Sequence, residues 1–336
     1  MIYDCFSFFN ELDTLEIRLN TLDDVVDKFV LVEAVWTHTG KPKPLYFAEN
    51  RDRFKPFLDK IIHIVVNDND LPPFPADATD REIAWIRENV QRNAIVKGLS
   101  DAKPDDILII SDLDEIPNAR VVQEITPAHN AIVNLELRNY AYFLNYRNIS
   151  RPWWTLGPKV LTVDTFRKQS TYSHAVFNEF APECANQLPS ATLIRLTTNY
   201  TTCRDAGWHF SYQGGLSMIK SKFAAYSHTE NQTEASRNDE HILSCLELGI
   251  DVIDKRIRFV PEPLANGFPD YLAANADRFL RLVKKTNQAE YDATHLRRII
   301  APIRRSAYDK AIAILIFLTP VKLHKFAAAI RKKLEL

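Results

Sequence analysis

The sequence predicts a mixed α/β fold: a mostly parallel central sheet with helices on both faces, followed by a C-terminal helical extension. Three observations lead there. Short apolar runs (Lys28–Ala34, Ile61–Val66 and Ile107–Ile110) alternate with helical segments or long crossovers, the pattern of a parallel sheet. The third run turns acidic at once, as Ser111-Asp-Leu-Asp-Glu-Ile-Pro117, which puts carboxylates where open α/β sheets bind ligands. The second half changes character and becomes rich in aromatics and loop residues, with Trp153-Trp154-Thr-Leu-Gly-Pro158 and Ala206-Gly-Trp208-His209-Phe-Ser-Tyr212-Gln-Gly-Gly215.

Taken in order, Ile2 to Phe9 is apolar and aromatic and begins with a strand. Asn10-Glu-Leu-Asp13 opens a helix, with Asn10 as its cap and acids in the first turn. Leu12, Leu15, Ile17, Leu19 and Leu22 form its apolar face. After the strand at 28–34, the glycine and prolines of 36–44 mark a loop. Residues 51–58 read as helix and 61–66 as strand; 67–78, with three prolines, reads as loop. Asp80 to Leu99 reads as one long helix, with Ile83, Ile86, Val90 and Ile95 inward. Further strands are expected over 131–137 and 140–144, and a helix over 239–248, closed by Gly249.

At 336 residues, 46% hydrophobic and 25% charged, the chain is ordinarily globular and long enough for a sizeable core. A net charge of −1 gives no field for nucleic acid, so no nucleic-acid partner is expected. Four scattered cysteines with no C-x-x-C (Cys5, Cys184, Cys203, Cys245) offer neither a zinc site nor a disulfide framework and fit a reducing compartment. The opening Met1-Ile-Tyr-Asp-Cys-Phe has no basic or apolar leader, so a cytoplasmic location is expected and the sequons at Asn148, Asn199 and Asn231 read as chance.

Asp112 and Asp114 bracket one residue at the end of the 107–110 strand. In extended backbone, residues two apart face the same side. Two hard carboxylates can hold Mg²⁺ or Mn²⁺, which completes its shell with water and phosphate oxygens. The same tripeptide also suits a solvated acidic turn.

The set Met1-Ile-Tyr-Asp-Cys-Phe, Phe-Asn-Glu-Leu-Asp13, Phe29-Val-Leu-Val-Glu33, Gly40-Lys-Pro-Lys-Pro44, Gln91-Arg-Asn93, Ser111-Asp-Leu-Asp-Glu-Ile-Pro117 and Ala206-Gly-Trp-His209-Phe-Ser resembles glycosyltransferase family 17, which includes the β-1,4-mannosyl-glycoprotein β-1,4-N-acetylglucosaminyltransferases. The resemblance runs over about 1–290 and implies a GT-A-type nucleotide-sugar-binding sandwich. Residues 1–130 would be the nucleotide-sugar half and 131–290 the acceptor half. It implies inverting transfer of GlcNAc from UDP-GlcNAc, a UDP-sugar donor, to a glycan or glycoconjugate acceptor, with Mn²⁺ or Mg²⁺, to mannose in a β-1,4 linkage; the opening without a leader suggests a bacterial surface glycan as the acceptor instead. The alternatives are a metal-dependent nucleotidyl or phosphoryl transferase and a non-catalytic carbohydrate-binding protein.

Carried onto this chain, Asp114 ligates the metal, and Asp112 ligates it or holds the ribose. Glu33 contacts the nucleotide or is a solvated strand-end acid. Arg92 and Arg87 bind phosphate or form helix-surface ion pairs. Trp153, Trp154 and Trp208 supply sugar-stacking plates on the acceptor side or are core tryptophans. His209 is a further metal or phosphate ligand or a structural histidine; His228 is a weaker candidate. Glu240, with Asp239 second, is the general base at the start of a late helix, or both are acids favoured there by the helix dipole.

From His295 onward there are ten Lys/Arg against two acids, leaving 32 basic against 41 acidic residues before it. Residues 291–336 therefore read as a basic amphipathic helical tail. Its apolar stretch Ala311–Leu318 is too short to span a bilayer. The segment 307–333 suits either peripheral contact with an anionic membrane surface or a helix that packs on the catalytic domain or pairs with another copy.

Overall fold

The computed structural model describes residues 1–172, 190–264 and 267–285. The expected tail at 291–336 and its membrane contact lie outside the described residues. Among the described residues no helix is long and apolar enough to cross a membrane.

The apolar runs form strands as their patterning dictates: β1 (Ile2–Phe8), β2 (Lys28–Ala34), β3 (Ile61–Val66) and β4 (Ile107–Asp112). The chain continues through β5 (Glu115–Pro117), β6 (Val133–Leu135), β7 (Leu137–Ala141), β8 (Tyr146–Asn148), β9 (Trp153–Trp154) and β10 (Lys159–Thr162). It ends with β11 (Thr201–Cys203), β12 (Gly207–Ser211) and β13 (Phe259–Pro261). The large sheet has the order β11-β6-β10-β4-β1-β2-β3. It is parallel from β4 through β1 and β2 to β3 and between β11 and β6, with β10 antiparallel to both neighbours. This is the expected mixed α/β architecture. A smaller sheet, β13-β8-β7-β12-β5, carries β9 on β7.

Both faces of the central strands β1, β2 and β4 are covered, which is why these runs are mostly apolar. Alternate residues feed opposite cores: Tyr3, Cys5, Val30, Val32, Leu108 and Ile110 on one side, and Phe6, Phe8, Phe29, Leu31 and Ile109 on the other.

Several elements differ from the sequence reading. The helix beginning near residue 10 is not capped by Asn10: it runs Leu12–Leu22 with Glu11 at the cap position and no side-chain cap, while Asn10 Nδ2 reaches Ser221 Oγ at 3.4 Å. The long helix is α-helical over Asp80–Asn93 and tightens to 3₁₀ over Ala94–Gly98. There the chain passes so close to β2 that a Cβ on Gly98 would lie 2.5 Å from Val30. The strand expected over 131–137 shortens to β6 in the large sheet, and the one expected over 140–144 starts earlier, as β7 in the small sheet. The chain first changes sheets between β4 and β5, and that crossing is where Asp112 and Asp114 sit.

Lys159 on β10 is fully buried. Its Nζ donates to Asn134 Oδ1 at 2.6 Å and lies 4.8 Å from the Tyr200 ring centre. Burial, with the nearby Arg195 charge, pushes its pKa down from 10.5 to about 8. Between these values the unfolded chain binds more protons than the folded one, so stability rises with pH across that window. The difference is worth about 3 kcal/mol. Denaturant melts at pH 7.5, 8.5 and 9.5 should show that rise in the wild type, and Lys159→Met should flatten it.

Candidate active site

The site is built around one buried guanidinium. Arg18 projects from the Leu12–Leu22 helix and is fully buried, as is Asp4 on β1. The two make a fork-to-fork pair, Nε to Oδ2 at 2.8 Å and Nη2 to Oδ1 at 2.6 Å. The remaining Arg18 donors go to the crossing segment: Nη1 to the carbonyls of Asp112, Leu113 and Glu115 at 3.0, 3.0 and 2.8 Å, and Nη2 to Ser111 Oγ at 2.5 Å. Three carbonyls converging on one cation bend the chain sharply. β4 thus ends at Asp112 and β5 starts at Glu115. The aspartates are not successive residues of an extended strand, but the turn still brings both to one cavity.

That cavity encloses about 780 Å³ at the junction of the two sheets. Asp112 meets Arg92 Nη2 at 2.9 Å and Arg195 Nη2 at 3.5 Å, and the two guanidinium groups hold its carboxyl well below the usual carboxylate range. Arg92 is itself fixed by Glu88 at 2.8 Å. Asp114 meets Lys222 Nζ at 2.7 Å, which lowers its pKa against the opposing effect of burial. His209 Nε2 lies 3.7 Å from Asp114 Oδ1.

The His209 ring is positioned on every side. It stacks on Trp154, centroids 4.3 Å apart and planes at 23°. Its Nδ1 lies 3.3 Å from Asn139 Oδ1, an acceptor that suits the tautomer with the proton on Nδ1. Burial lowers its pKa, so the ring is neutral at pH 7. In the tautomer protonated at Nδ1, the Nε2 lone pair faces that Asp114 oxygen. Two acceptors held like this suit a divalent cation that takes imidazole nitrogen and carboxylate oxygen. Among the described residues no group of three or more His, Cys, Asp or Glu forms a complete metal cage. An ion here would draw the rest of its shell from water and substrate, as Mg²⁺ and its kin commonly do.

Glu115 ties the pieces together. It is 1% exposed. Its Oε1 accepts from Trp154 Nε1 and from Arg195 Nη2, both at 2.7 Å, and its Oε2 accepts from the Asp112 amide at 3.0 Å.

Asp112, Asp114, Arg92, His209, Trp153, Trp154 and His228 all line the cavity. Trp153 is 38% exposed there, with Arg147 5.2 Å from its ring centre on the protein side. Trp154 is half-buried, with one face on His209 and its N–H on Glu115. The other expected residues lie outside the lining. Glu33 is fully buried and serves as a junction, accepting from the Phe47 amide at 3.2 Å and meeting His63 Nε2 at 3.1 Å and Lys43 Nζ at 3.4 Å; it is not a solvated strand-end acid. Arg87 supports the 37–41 loop, donating to the His38 carbonyl at 3.3 Å with its guanidinium 5.1 Å from the Phe74 ring centre. Trp208 is a core tryptophan whose N–H donates to the Gly267 carbonyl at 2.7 Å. Asp239 and Glu240 are exposed at the start of the Asp239–Leu248 helix, with Asp239 paired to Lys220.

Arg18, Glu115, Asn139, Arg195 and Lys222 were not singled out from the sequence. Two carried a signal: Arg18 interrupts an apolar face between Ile17 and Leu19, and Glu115 is the third acid of Ser-Asp-Leu-Asp-Glu. Arg195 and Lys222 come from distant helices and carried none.

Comparison with known proteins adds three findings. A model of the family described as glycosyltransferase family 17 matches residues 1–182. A human protein named beta-1,4-mannosyl-glycoprotein 4-beta-N-acetylglucosaminyltransferase is 35% identical over 114 residues, which is 32% of this chain and 20% of that protein; its rat counterpart matches equally. The chain thus spans about a fifth of the length of the curated relatives it matches. Among solved structures, galactosyltransferase LgtC aligns over 86% of this chain and 98% of its own, at 12% identity and a TM-score of 0.35. That likeness is too distant to carry a functional conclusion.

Proposed function

The chain belongs to glycosyltransferase family 17, and on that premise we propose that it is an inverting, metal-dependent transferase moving GlcNAc from UDP-GlcNAc to a glycan hydroxyl, with a β-mannoside as the first acceptor to try. The observation that carries the reading is the pairing of Asp114 Oδ1 with the neutral His209 Nε2 at 3.7 Å on the wall of a large cavity. In this reading Asp114 and His209 hold Mn²⁺ or Mg²⁺, with Asp112 beside them. When bound, the ion supplies Lewis-acid stabilisation of the departing diphosphate.

The chain's own residues do the remaining work. Arg92 and Lys222 line the cavity as cations able to meet phosphate oxygens. Arg195, anchored by Glu115, holds Asp112 in place. Trp153 offers its exposed face to a sugar ring. Glu240 and Asp239 have no part in this reading, because neither reaches the cavity wall.

The test is a donor screen. Purified full chain is incubated with each nucleotide sugar plus Mn²⁺, with and without EDTA, and free nucleotide is followed. UDP release from UDP-GlcNAc that EDTA abolishes and added Mn²⁺ restores is the expected result. Pyrophosphate in place of UDP would point to a nucleotidyl transferase. Silence with every donor, together with no donor-induced rise in Tm, would overturn the transferase reading.

A further inference from the structure

Inverting transfer needs one group to take the proton from the incoming hydroxyl. Within the described residues, six acids line the cavity: Glu11, Glu88, Asp112, Asp114, Asp251 and Asp254. Five are paired with cations. Lys222 serves Asp114 at 2.7 Å and Glu11 at 3.5 Å, Arg92 serves Glu88 at 2.8 Å and Asp112 at 2.9 Å, and Arg256 serves Asp254 at 2.8 Å. A neighbouring cation stabilises the charged carboxylate and makes it a poorer proton acceptor. Among the described residues, Asp251 forms no ion pair.

We infer that Asp251 is the carboxylate that accepts the proton of the acceptor hydroxyl, with Tyr142 as its positioning residue. The inference rests on the transferase reading above. Asp251 is held by hydrogen bonds from neutral donors and not by a cation. Its Oδ1 accepts the amides of Ile253 and Asp254 at 2.9 and 2.8 Å, and its Oδ2 accepts the Tyr142 hydroxyl at 2.7 Å. One lone pair on Oδ2 is left for a substrate. The Val252 amide donates to the Tyr142 oxygen at 3.2 Å, so the phenol proton can only point at Asp251.

The backbone around this pair is strained. Tyr142 and Tyr212 follow the ends of the adjacent parallel strands β7 and β12, and both sit in the left-handed region, with φ of 69° and 56°. Bulky residues held there are costly and cluster at functional sites. Their rings stack at 5.6 Å, and the Lys222 ammonium lies 5.4 Å from the Tyr212 ring centre and 2.7 Å from Asp114. Four consecutive contacts thus join Asp251 to Asp114 along one wall. In this reading the diphosphate lies at the Asp114 end of that wall and the acceptor hydroxyl at the Asp251 end, with the transferred sugar between them.

In the step itself, the hydroxyl proton moves to Asp251 Oδ2 as the oxygen attacks the anomeric carbon. The bond from that carbon to the phosphate oxygen breaks, and its electron pair leaves with the nucleoside diphosphate. Azide attacks the same carbon but carries no proton to remove, so it separates base catalysis from folding and donor binding.

The experiment compares wild type, Asp251→Asn and Tyr142→Phe with the active donor and Mn²⁺, using methyl β-mannoside, water alone, or azide as nucleophile. For Asp251→Asn the expected result is a fall in kcat of about a hundredfold or more for mannoside and water. Donor KM should stay within about threefold and the azide reaction should be undiminished. Tyr142→Phe should give the same pattern, weakened to about tenfold. Mannoside or water turnover within a few-fold of wild type in Asp251→Asn would overturn the inference, as would equal loss of the azide reaction. A wild type silent with every donor and nucleophile would overturn the transferase reading and the inference with it.

Discussion

Asp114→Ala is expected to lower donor turnover by about a hundredfold or more, the usual scale for removing one preorganised electrostatic contact to a leaving group. The carboxylate is nearly buried and has two neighbours of opposite character. Lys222 meets one oxygen at 2.7 Å, and the neutral His209 approaches the other at 3.7 Å. Alanine removes the anionic half of the ion's protein ligands and leaves His209 Nε2 without a partner. Asp114→Asn keeps the shape and should lose nearly as much activity, because an amide brings no charge to a divalent ion. The fold should survive both changes, since Glu11, 3.5 Å from the same ammonium, still partners Lys222. Two readouts check this: UDP release under saturating Mn²⁺, and the Mn²⁺-induced rise in Tm. A variant with wild-type turnover and a wild-type Mn²⁺ shift would remove Asp114 from the metal site.

Arg18→Met is expected to cost about 3–5 kcal/mol of stability, the range for breaking a buried ion pair from one side. Asp4 would be left as a fully buried carboxylate facing an apolar side chain. The carbonyls of Asp112, Leu113 and Glu115 would lose their shared donor. Arg18→Met with Asp4→Leu removes both charges, and such pairs often tolerate hydrophobic replacement. The double variant should therefore regain part of the stability, since the three carbonyls still lack the Arg18 donor. If Arg18 also shapes the turn that presents Asp112 and Asp114, the double variant should fold but transfer poorly. Urea melts and UDP release, measured on the single and double variants, separate the two roles. Recovery of both stability and turnover in the double variant would reduce Arg18 to a core ion pair.

The sequence alone determined the sheet and its chemistry-bearing edge. Runs such as Lys28–Ala34 and Ile107–Ile110 are mostly apolar because both faces of the central parallel strands are buried, and that pattern is visible locally. Gly249 and the acids before it marked a helix at 239–248 for equally local reasons, and the structure places that helix at Asp239–Leu248 with Gly249 in the left-handed region. Asp112 and Asp114 were legible because an acidic run directly after a buried strand is locally unusual.

Only the tertiary structure decided which charges meet. Glu33 and Glu240 are both acids at the ends of elements and look alike in sequence, yet one is buried against His63 and Lys43 while the other stands in solvent. Arg195 and Lys222 reach the site across 83 and 108 residues of chain. Asp251 gains its role from Tyr142, 109 residues away. Strand patterning reflects burial, which neighbouring residues share and sequence therefore records. Ion pairing reflects distances set by the crossing of two sheets, and no periodicity along the chain encodes them.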